Sequence, residues 1–361
     1  MGIRIGAATL AAMVLAGCGA GAGGTALSPN SSVTPSPSPE RLIVIADYPQ
    51  SFPETTPTIL HLVRLDGTEV KTLTLKPKAM TTTASGSRIF AIDPSGALTA
   101  FHRDGSVEDL GNLGPSTLNG SLRASPDGNT WLWGTFDTSF HATVFIAAKG
   151  EAPRVVEQSH DMTRAVRPFS WTKGGPTVEH GAVGIGGYIL FYTATGPVDL
   201  VDPVSGTVTA VNHTSDCSFS DRATNGTVAC FQHATQHTLS LIAPSGQVTT
   251  VALPADRFTV EGAAYFSPNE DQVVVGGATA AGPGQEQFMT ELVKTSDGSI
   301  RPLPLDGVRP AEGPWAWLPD GSLVVYRPKF AAAGPGVWLV GPTGTITKLA
   351  AGGDPIGGLT G

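Results

Sequence analysis

The sequence is poor in charged residues, in cysteine and in basic character. Charged residues make up 14% of the chain, against about 25% in an average protein, and only three cysteines are present. The formal net charge of −8 leaves no basic excess with which to neutralise phosphates, so no nucleic-acid partner is expected. Because 40% of the residues are hydrophobic, disorder along the whole chain is also excluded.

Recognisable catalytic motifs are lacking too. The sequence has no Gly-x-Ser-x-Gly elbow, no His-Glu-x-x-His pair and no phosphate-binding Gly-x-x-x-x-Gly-Lys loop. We therefore predict no catalytic residue, no metal site and no cofactor. We interpret four of the scattered histidines as loop residues: His141, His160, His180 and His213. Three acids are interpreted as solvated loop groups: Glu179, Glu261 and Glu312.

Glycine and proline, by contrast, are abundant. There are 45 Gly and 29 Pro, together about a fifth of the chain, against roughly 12% in average usage. Long helices tolerate these residues badly, which excludes a helical bundle. Many short apolar segments separated by turns predict an all-β protein.

The N-terminal residues carry an export signal. Residues 1–17 contain one charged side chain, Arg4, and an apolar run too short to span a bilayer comfortably. Leu15-Ala16-Gly17-Cys18 resembles the bacterial lipobox, which implies lipidation of Cys18 with acyl chains such as palmitate. An ordinary signal peptide with an incidental cysteine is the alternative. Lipidation predicts anchoring at the outer face of the cytoplasmic membrane or in the periplasm.

A tether and a folded domain follow the signal. Residues 18–40 are mostly Gly, Ala, Ser, Thr and Pro and end in Pro35-Ser36-Pro37-Ser38-Pro39-Glu40. Such a composition buries no core and favours extended conformations. Residues 41–361 then form the predicted folded domain, for which we expect a monomer.

One unit recurs through this domain: a β-rich run, a turn containing Gly, and a second β-rich run. Gly supplies the positive φ that a tight hairpin needs, and a preceding Asp or Ser can bond the turn backbone. Seven turns of this kind are present: Asp66-Gly67, Asp104-Gly105, Lys149-Gly150, Ser205-Gly206, Ser245-Gly246, Asp297-Gly298 and Thr343-Gly344.

A second kind of turn alternates with the first. Ser125-Pro126-Asp127-Gly128 and Leu318-Pro319-Asp320-Gly321 are its clearest copies, and four looser copies occur. This pattern resembles the blades of TolB-like, WD40-like β-propellers. The resemblance implies a propeller over most of residues 41–361 and, at the level of fold analogy, protein partners at the cell envelope.

The two sets of turns differ in number, with seven of the first kind and six of the second. We therefore predict a seven-bladed β-propeller of four-stranded antiparallel blades, in which the first blade lacks its inner strand. The segment 354–361 is predicted to supply that strand and close the ring. Six or eight blades are the alternatives, because the segment 151–187 is irregular.

Cys217 and Cys230 are predicted to lie on the first two strands of blade five. In an exported protein such a pair predicts a disulfide. The alternative is a Cys2His2 zinc set with His233 and His237, but the spacing lacks the close cysteine pair of common zinc modules.

Two tryptophan pairs are spaced two residues apart, so on a strand each pair faces one side. The pairs Trp131/Trp133 and Trp315/Trp317 fit packing between blades, which we favour, or an aromatic platform at the rim. Our functional prediction is a membrane-anchored binding or scaffolding module for an envelope protein or a glycan. The alternative is a propeller enzyme acting on sugars, lactones or peptides, which a cluster of acids or histidines in the channel would favour.

Overall fold

Short runs of Val, Ile, Leu and Thr form β-strands throughout the part of the chain that the structure describes. The computed structural model describes residues 40–48, 57–75, 81–93, 95–113, 122–137, 139, 141–181, 194, 196–211, 217–232, 237–256, 258–279, 286–329, 331 and 333–360. These residues contain 28 strands in seven antiparallel four-stranded sheets, and two 3-10 helices at Met162–Arg164 and Pro314–Ala316. No helix among them has the length and apolar character needed to cross a membrane.

The strands follow one another blade by blade. Blade 1 contains β1 (Leu42–Asp47), β2 (Thr58–Arg64) and β3 (Glu69–Leu75). Blade 2 contains β4 (Thr81–Ser85), β5 (Arg88–Ile92), β6 (Ala97–His102) and β7 (Val107–Asn112). Blade 3 contains β8 (Leu122–Ala124), β9 (Thr130–Phe136), β10 (Ala142–Ala148) and β11 (Arg154–Ser159). Blade 4 contains β12 (Ala165–Thr172), β13 (Gly175–Gly181), β14 (Val198–Val201) and β15 (Val208–Ala210).

The remaining blades repeat this order. Blade 5 contains β16 (Cys217–Arg222), β17 (Val228–Gln232), β18 (Thr238–Ile242) and β19 (Val248–Ala252). Blade 6 contains β20 (Val260–Phe266), β21 (Gln272–Thr279), β22 (Gln287–Lys294) and β23 (Ile300–Pro302). Blade 7 contains β24 (Arg309–Pro310), β25 (Leu323–Arg327), β26 (Gly336–Val340) and β27 (Ile346–Ala350). The last strand is β28 (Asp354–Leu359).

The last strand completes the first blade. β28 pairs antiparallel with β1, with Leu42 opposite Leu359 and Ile43 opposite Gly358, so the order in blade 1 is β28-β1-β2-β3. Just beyond β28, the Thr360 N–H donates to the Gly86 carbonyl of blade 2 at 2.8 Å. The predicted ring closure and the count of seven blades are therefore confirmed.

Within each blade we name the strands A to D from the channel outwards. Neighbouring A strands touch one another around the centre, for example β28 with β4 and β4 with β8. The D strands are the most exposed, as the alternating pattern of β7 shows. At the C–D turns the seven predicted glycines have φ between 68° and 88°, a region that only glycine adopts without steric cost. The A–B turns, where the Ser-Pro-Asp-Gly motifs lie, are on the same face as the C–D turns.

The core lies between blades. Between blades 3 and 4, for example, Val144 and Ile146 pack against Val166, Val178 and Val201, all at most 1% exposed. Each blade thus buries one apolar face against the next, and the polar or charged side chains are left for the turns and the D strands.

Candidate functional site

A cavity opens at the centre of the face that carries the A–B turns. Its volume is about 480 Å³. The inner parts of blades 1, 2, 3 and 4 line it, together with the segment between β24 and β25 of blade 7. We call this cavity the A–B mouth.

Apolar and aromatic side chains form most of its wall. Phe169 and Trp171 of blade 4 face the 3-10 segment of blade 7, which contributes Trp315 and Trp317. Ile356 of β28 completes this wall. Trp171 and Trp315 are only partly buried, so both present aromatic surface to whatever enters the cavity. Such a wall binds apolar and aromatic groups.

Three cationic side chains interrupt the apolar wall: Arg41, Arg123 and Lys173. Arg123 is held by backbone carbonyls, since its Nε donates to the Phe169 carbonyl at 2.7 Å and its Nη1 to that of Leu122 at 2.9 Å. Lys173 Nζ donates to the Ser267 carbonyl. Partial burial lowers the pKa of Lys173, and the nearby Asp221 and Glu270 carboxyls oppose this shift.

Backbone carbonyls thus position two of these cations, Arg123 and Lys173. Among the described residues that line the cavity, Glu312 is the single acid and no histidine or cysteine is present. Glu312 already forms an ion pair with Arg309, which is 4% exposed. The cavity is therefore apolar with a positive bias, in a chain whose overall net charge is −8.

The chain enters the propeller beside this mouth. Glu40 forms ion pairs with Arg64 of β2 and with Arg103, which lies in the C–D turn of blade 2. The next residue, Arg41, lines the cavity. Cys18 and most of the predicted tether lie outside the described residues, so the lipidation and the domain boundaries remain predictions.

The two tryptophan pairs differ in structure. Trp131 and Trp133 lie on β9, are 3% and 1% exposed, and pack between blades 2 and 3. The Trp131 ring meets Phe90 edge-on at 5.8 Å, and Trp133 stacks on Phe145 at 5.5 Å. This pair serves packing and forms no platform.

The second pair is not on a strand. Trp315 belongs to the 3-10 helix Pro314–Ala316, and Trp317 follows it. The alternation of side chains along a strand therefore does not apply to Trp315 and Trp317. Trp317 is 7% exposed and donates its indole N–H to the Tyr265 carbonyl at 3.0 Å. Trp315 is partly buried, and both residues line the A–B mouth.

The cysteines form a disulfide. Cys217 and Cys230 lie on the A and B strands of blade 5, as predicted, and are joined with a Cα–Cα distance of 5.6 Å. Both are at most 1% exposed. The bond excludes the alternative zinc set, because its two thiolates are used; His233 lies outside the described residues.

Several polar predictions need correction. Glu179 is 2% exposed on strand β13 and accepts a hydrogen bond from Arg167 Nε at 2.8 Å, so it is not a solvated loop group. His180, predicted in a loop, lies on the same strand. Glu261, also predicted in a loop, lies on strand β20, although its side chain lies outside the described residues. His213 lies outside the described residues altogether. Arg167, twelve residues earlier, lies opposite Glu179 on the neighbouring strand. A prediction from the polarity of Glu179 alone does not take this partner into account.

A buried carboxyl, Asp221, lies behind the mouth in blade 5. It is 0% exposed and accepts hydrogen bonds from the backbone N–H groups of Phe266 at 2.9 Å and Arg222 at 2.8 Å. Burial raises the pKa of Asp221 to about 7, against the lowering effect of these hydrogen bonds and of Lys173. Together with the Ser220 hydroxyl, which accepts from the Ala264 N–H at 2.6 Å, it ties blade 5 to blade 6.

No protein-family model matches the sequence, and neither does any curated protein. Solved structures do match. A prolyl endopeptidase has a TM-score of 0.57 at 11% identity, covering 86% of this chain and 50% of that one. Oligogalacturonate lyase from Vibrio parahaemolyticus has a TM-score of 0.53 at 11% identity, covering 84% and 92%. TolB from Acinetobacter baumannii has a TM-score of 0.43 at 14% identity, covering 73% and 65%.

The seven four-stranded blades define the fold as a seven-bladed β-propeller. The chain spans half of the prolyl endopeptidase and just under two thirds of the TolB. At such low identity the likeness concerns the fold alone.

Proposed function

We propose that this protein is a membrane-tethered, extracytoplasmic binding module whose A–B mouth takes a short apolar, acidic segment of an envelope protein. The observation that carries the proposal is the cavity itself, an aromatic wall interrupted by cations. Its volume of about 480 Å³ lies within the usual range for ligand sites and matches a few side chains rather than a whole domain.

The distribution of charge supports an acidic segment. Arg41, Arg123 and Lys173 are arranged around an apolar wall, so a carboxylate that enters with an aromatic or aliphatic neighbour finds both partners. The lining also supports binding over catalysis, because the described lining residues offer no pair of acids and no histidine for proton transfer.

The point at which the chain enters the propeller supports an orientation in which the face with the A–B mouth is the one joined to the membrane. If Cys18 carries the lipid, the tether of residues 18–40 joins the membrane to the face that bears the mouth, because Glu40 and Arg41 lie beside it. A semi-extended tether of this length reaches up to roughly 70 Å. The mouth would then work within that distance of the bilayer, where envelope proteins lie.

Site-specific photocrosslinking in intact cells tests the proposal. A photoreactive amino acid replaces Trp315 at the rim of the mouth in one variant. In a matched control it replaces Trp338, a partly buried tryptophan of blade 7 that packs under Arg327 at 4.7 Å, away from the cavity. We expect a crosslinked protein band from position 315 and none from position 338.

Two further outcomes decide between alternatives. Replacing Lys173 and Arg41 with Gln should weaken the crosslink at 315 if an acidic segment is bound. No protein adduct at 315, with a small-molecule or glycan adduct in its place, would contradict the protein-binding proposal and would favour the sugar- or peptide-processing alternative.

A further inference from the structure

Away from the A–B mouth, the fold brings together three side chains that can ligate a metal. Glu157 lies on β11, the outer strand of blade 3, while His180 and Asp199 lie on β13 and β14 of blade 4. One ligand atom from each lies within 4.8 Å of the others. We propose that these three residues bind one divalent transition-metal ion between blades 3 and 4.

The strand register places the two residues of blade 4 on one face. Asp199 is opposite Val178, and His180 is two residues further along β13, so both side chains point to the same side of the sheet. That side faces blade 3, since His180 Nε2 lies 2.8 Å from Glu157 Oε1. The other ring nitrogen, Nδ1, lies 3.7 Å from Asp199 Oδ2.

The charge of the cluster favours a cation. Two carboxylates share a single imidazole, and all three side chains are partly buried, with His180 12% exposed. A divalent ion would neutralise both carboxylates at once.

The donor set also selects the metal. One imidazole nitrogen with two carboxylate oxygens suits zinc or manganese, whereas calcium and magnesium prefer oxygen alone. Metal–ligand bonds of about 2.0–2.2 Å bring ligand atoms within about 4.4 Å of one another, so small side-chain rotations are enough. The partial exposure of Glu157, at 33%, leaves room for water as a further ligand.

The ion would act as a clamp between adjacent blades. Beneath the cluster, Val144 of blade 3 packs near Val166 and Val178 of blade 4. Apolar packing holds the blades together without specifying their angle, and a shared ion would add a directional bond at the outer edge. The Cys217–Cys230 disulfide, by contrast, acts within a single blade.

Titration calorimetry with the full chain in detergent micelles tests this site. After treatment with a chelator, the protein is titrated in separate experiments with ZnCl2, MnCl2, MgCl2 and CaCl2. We expect one ion per chain. The substitutions Glu157→Gln and Asp199→Asn should each weaken binding by more than about tenfold, since each removes a charged ligand. Both replacements keep the shape of the side chain, and their Tm in chelator should equal that of the wild type.

Two controls separate this site from adventitious binding to surface histidines. His61 forms a similar pair with Glu69, at 3.1 Å, but has no third ligand among the described residues, so His61→Gln should leave binding unchanged. The alternative metal-binding site is the pair His141 and His160, whose ring centroids are 4.4 Å apart. Loss of binding in His141→Gln but not in His180→Gln would overturn the proposal, as would preference for Mg2+ or Ca2+.

Discussion

Blade 1 and blade 5 have the same four-stranded architecture but are held together in opposite ways. In blade 5 the four strands are consecutive, and a disulfide joins the inner two across a sequence separation of 13 residues. In blade 1 the inner strand β28 comes from the other end of the described chain and is held by noncovalent contacts with β1. The disulfide therefore stabilises blade 5 alone, whereas the pairing of β28 with β1 in blade 1 closes the whole ring.

The difference shows where the fold is most vulnerable. Losing the disulfide releases a local loop whose strands still pair, whereas losing β28 exposes the edge of β1 and opens the ring. The apolar residues of β1 are 0% exposed because β28 and its neighbours cover them. The seam between the first and last strands should therefore matter more for stability than any other single contact.

Deletion of residues 354–361 tests the seam and should have the largest effect. The truncation removes the strand that pairs with β1, together with the buried Leu359, which is 1% exposed. We expect a fall in Tm of more than about 10 °C, or failure to fold, measured by circular dichroism. Deletion of Gly361 alone is the control. An unchanged Tm in the longer truncation would show that β28 does not close the ring.

Removal of the disulfide should have a smaller effect. For a loop of this length, the chain-entropy model gives about 3 kcal/mol. The double variant Cys217→Ala/Cys230→Ala should therefore unfold at a lower denaturant concentration than the wild type. Labelling of thiols in the unreduced wild type checks the premise, since two reactive thiols would show that the bond is absent.

Much of the fold could be predicted because turn chemistry is local. Gly67, Gly105 and the equivalent glycines are needed wherever φ is positive, so counting them counts blades. The A–B mouth was beyond such reasoning. Arg41, Arg123 and Trp315 are far apart in sequence and meet only when the ring closes. The same holds for Glu157 and His180, whose proximity depends on how two blades pack.

Asp221 allows the stability of blade 5 to be tested through its pH dependence. Its folded pKa of about 7 is above the unfolded value of 3.8, so its contribution to stability is present below about pH 4 and is lost as pH rises through 7. We expect wild type to lose roughly 2 kcal/mol relative to Asp221→Asn between pH 5 and 8, measured by denaturant unfolding.

The control for this measurement is an exposed carboxyl in blade 6. Hydrogen bonds from Ser299 lower the pKa of Asp297 to about 2, so this group is fully ionised in both states between pH 5 and 8. Asp297→Asn should therefore show no pH-dependent difference from wild type. A constant difference for Asp221→Asn as well would mean that Asp221 is ionised across the whole range.

Gly353, immediately before β28, gives the finest test of the seam. Its φ is +94°, and a Cβ there would lie 2.6 Å from Ile45 Cγ2 and 3.1 Å from the Ala46 carbonyl oxygen. Gly150, in the C–D turn of blade 3, has a similar φ of +81° but no atom within 4 Å of such a Cβ. Both Gly→Ala variants incur the backbone cost of about 1 kcal/mol, but Gly353→Ala must also displace the fully buried Ile45. We expect the free energy of unfolding of Gly353→Ala to be lower than that of Gly150→Ala by about 1 kcal/mol, measured by denaturant unfolding. Equal losses would indicate that the seam yields to the added methyl group, and that blade 1 is packed no more tightly at its closure than blade 3 is at a free hairpin.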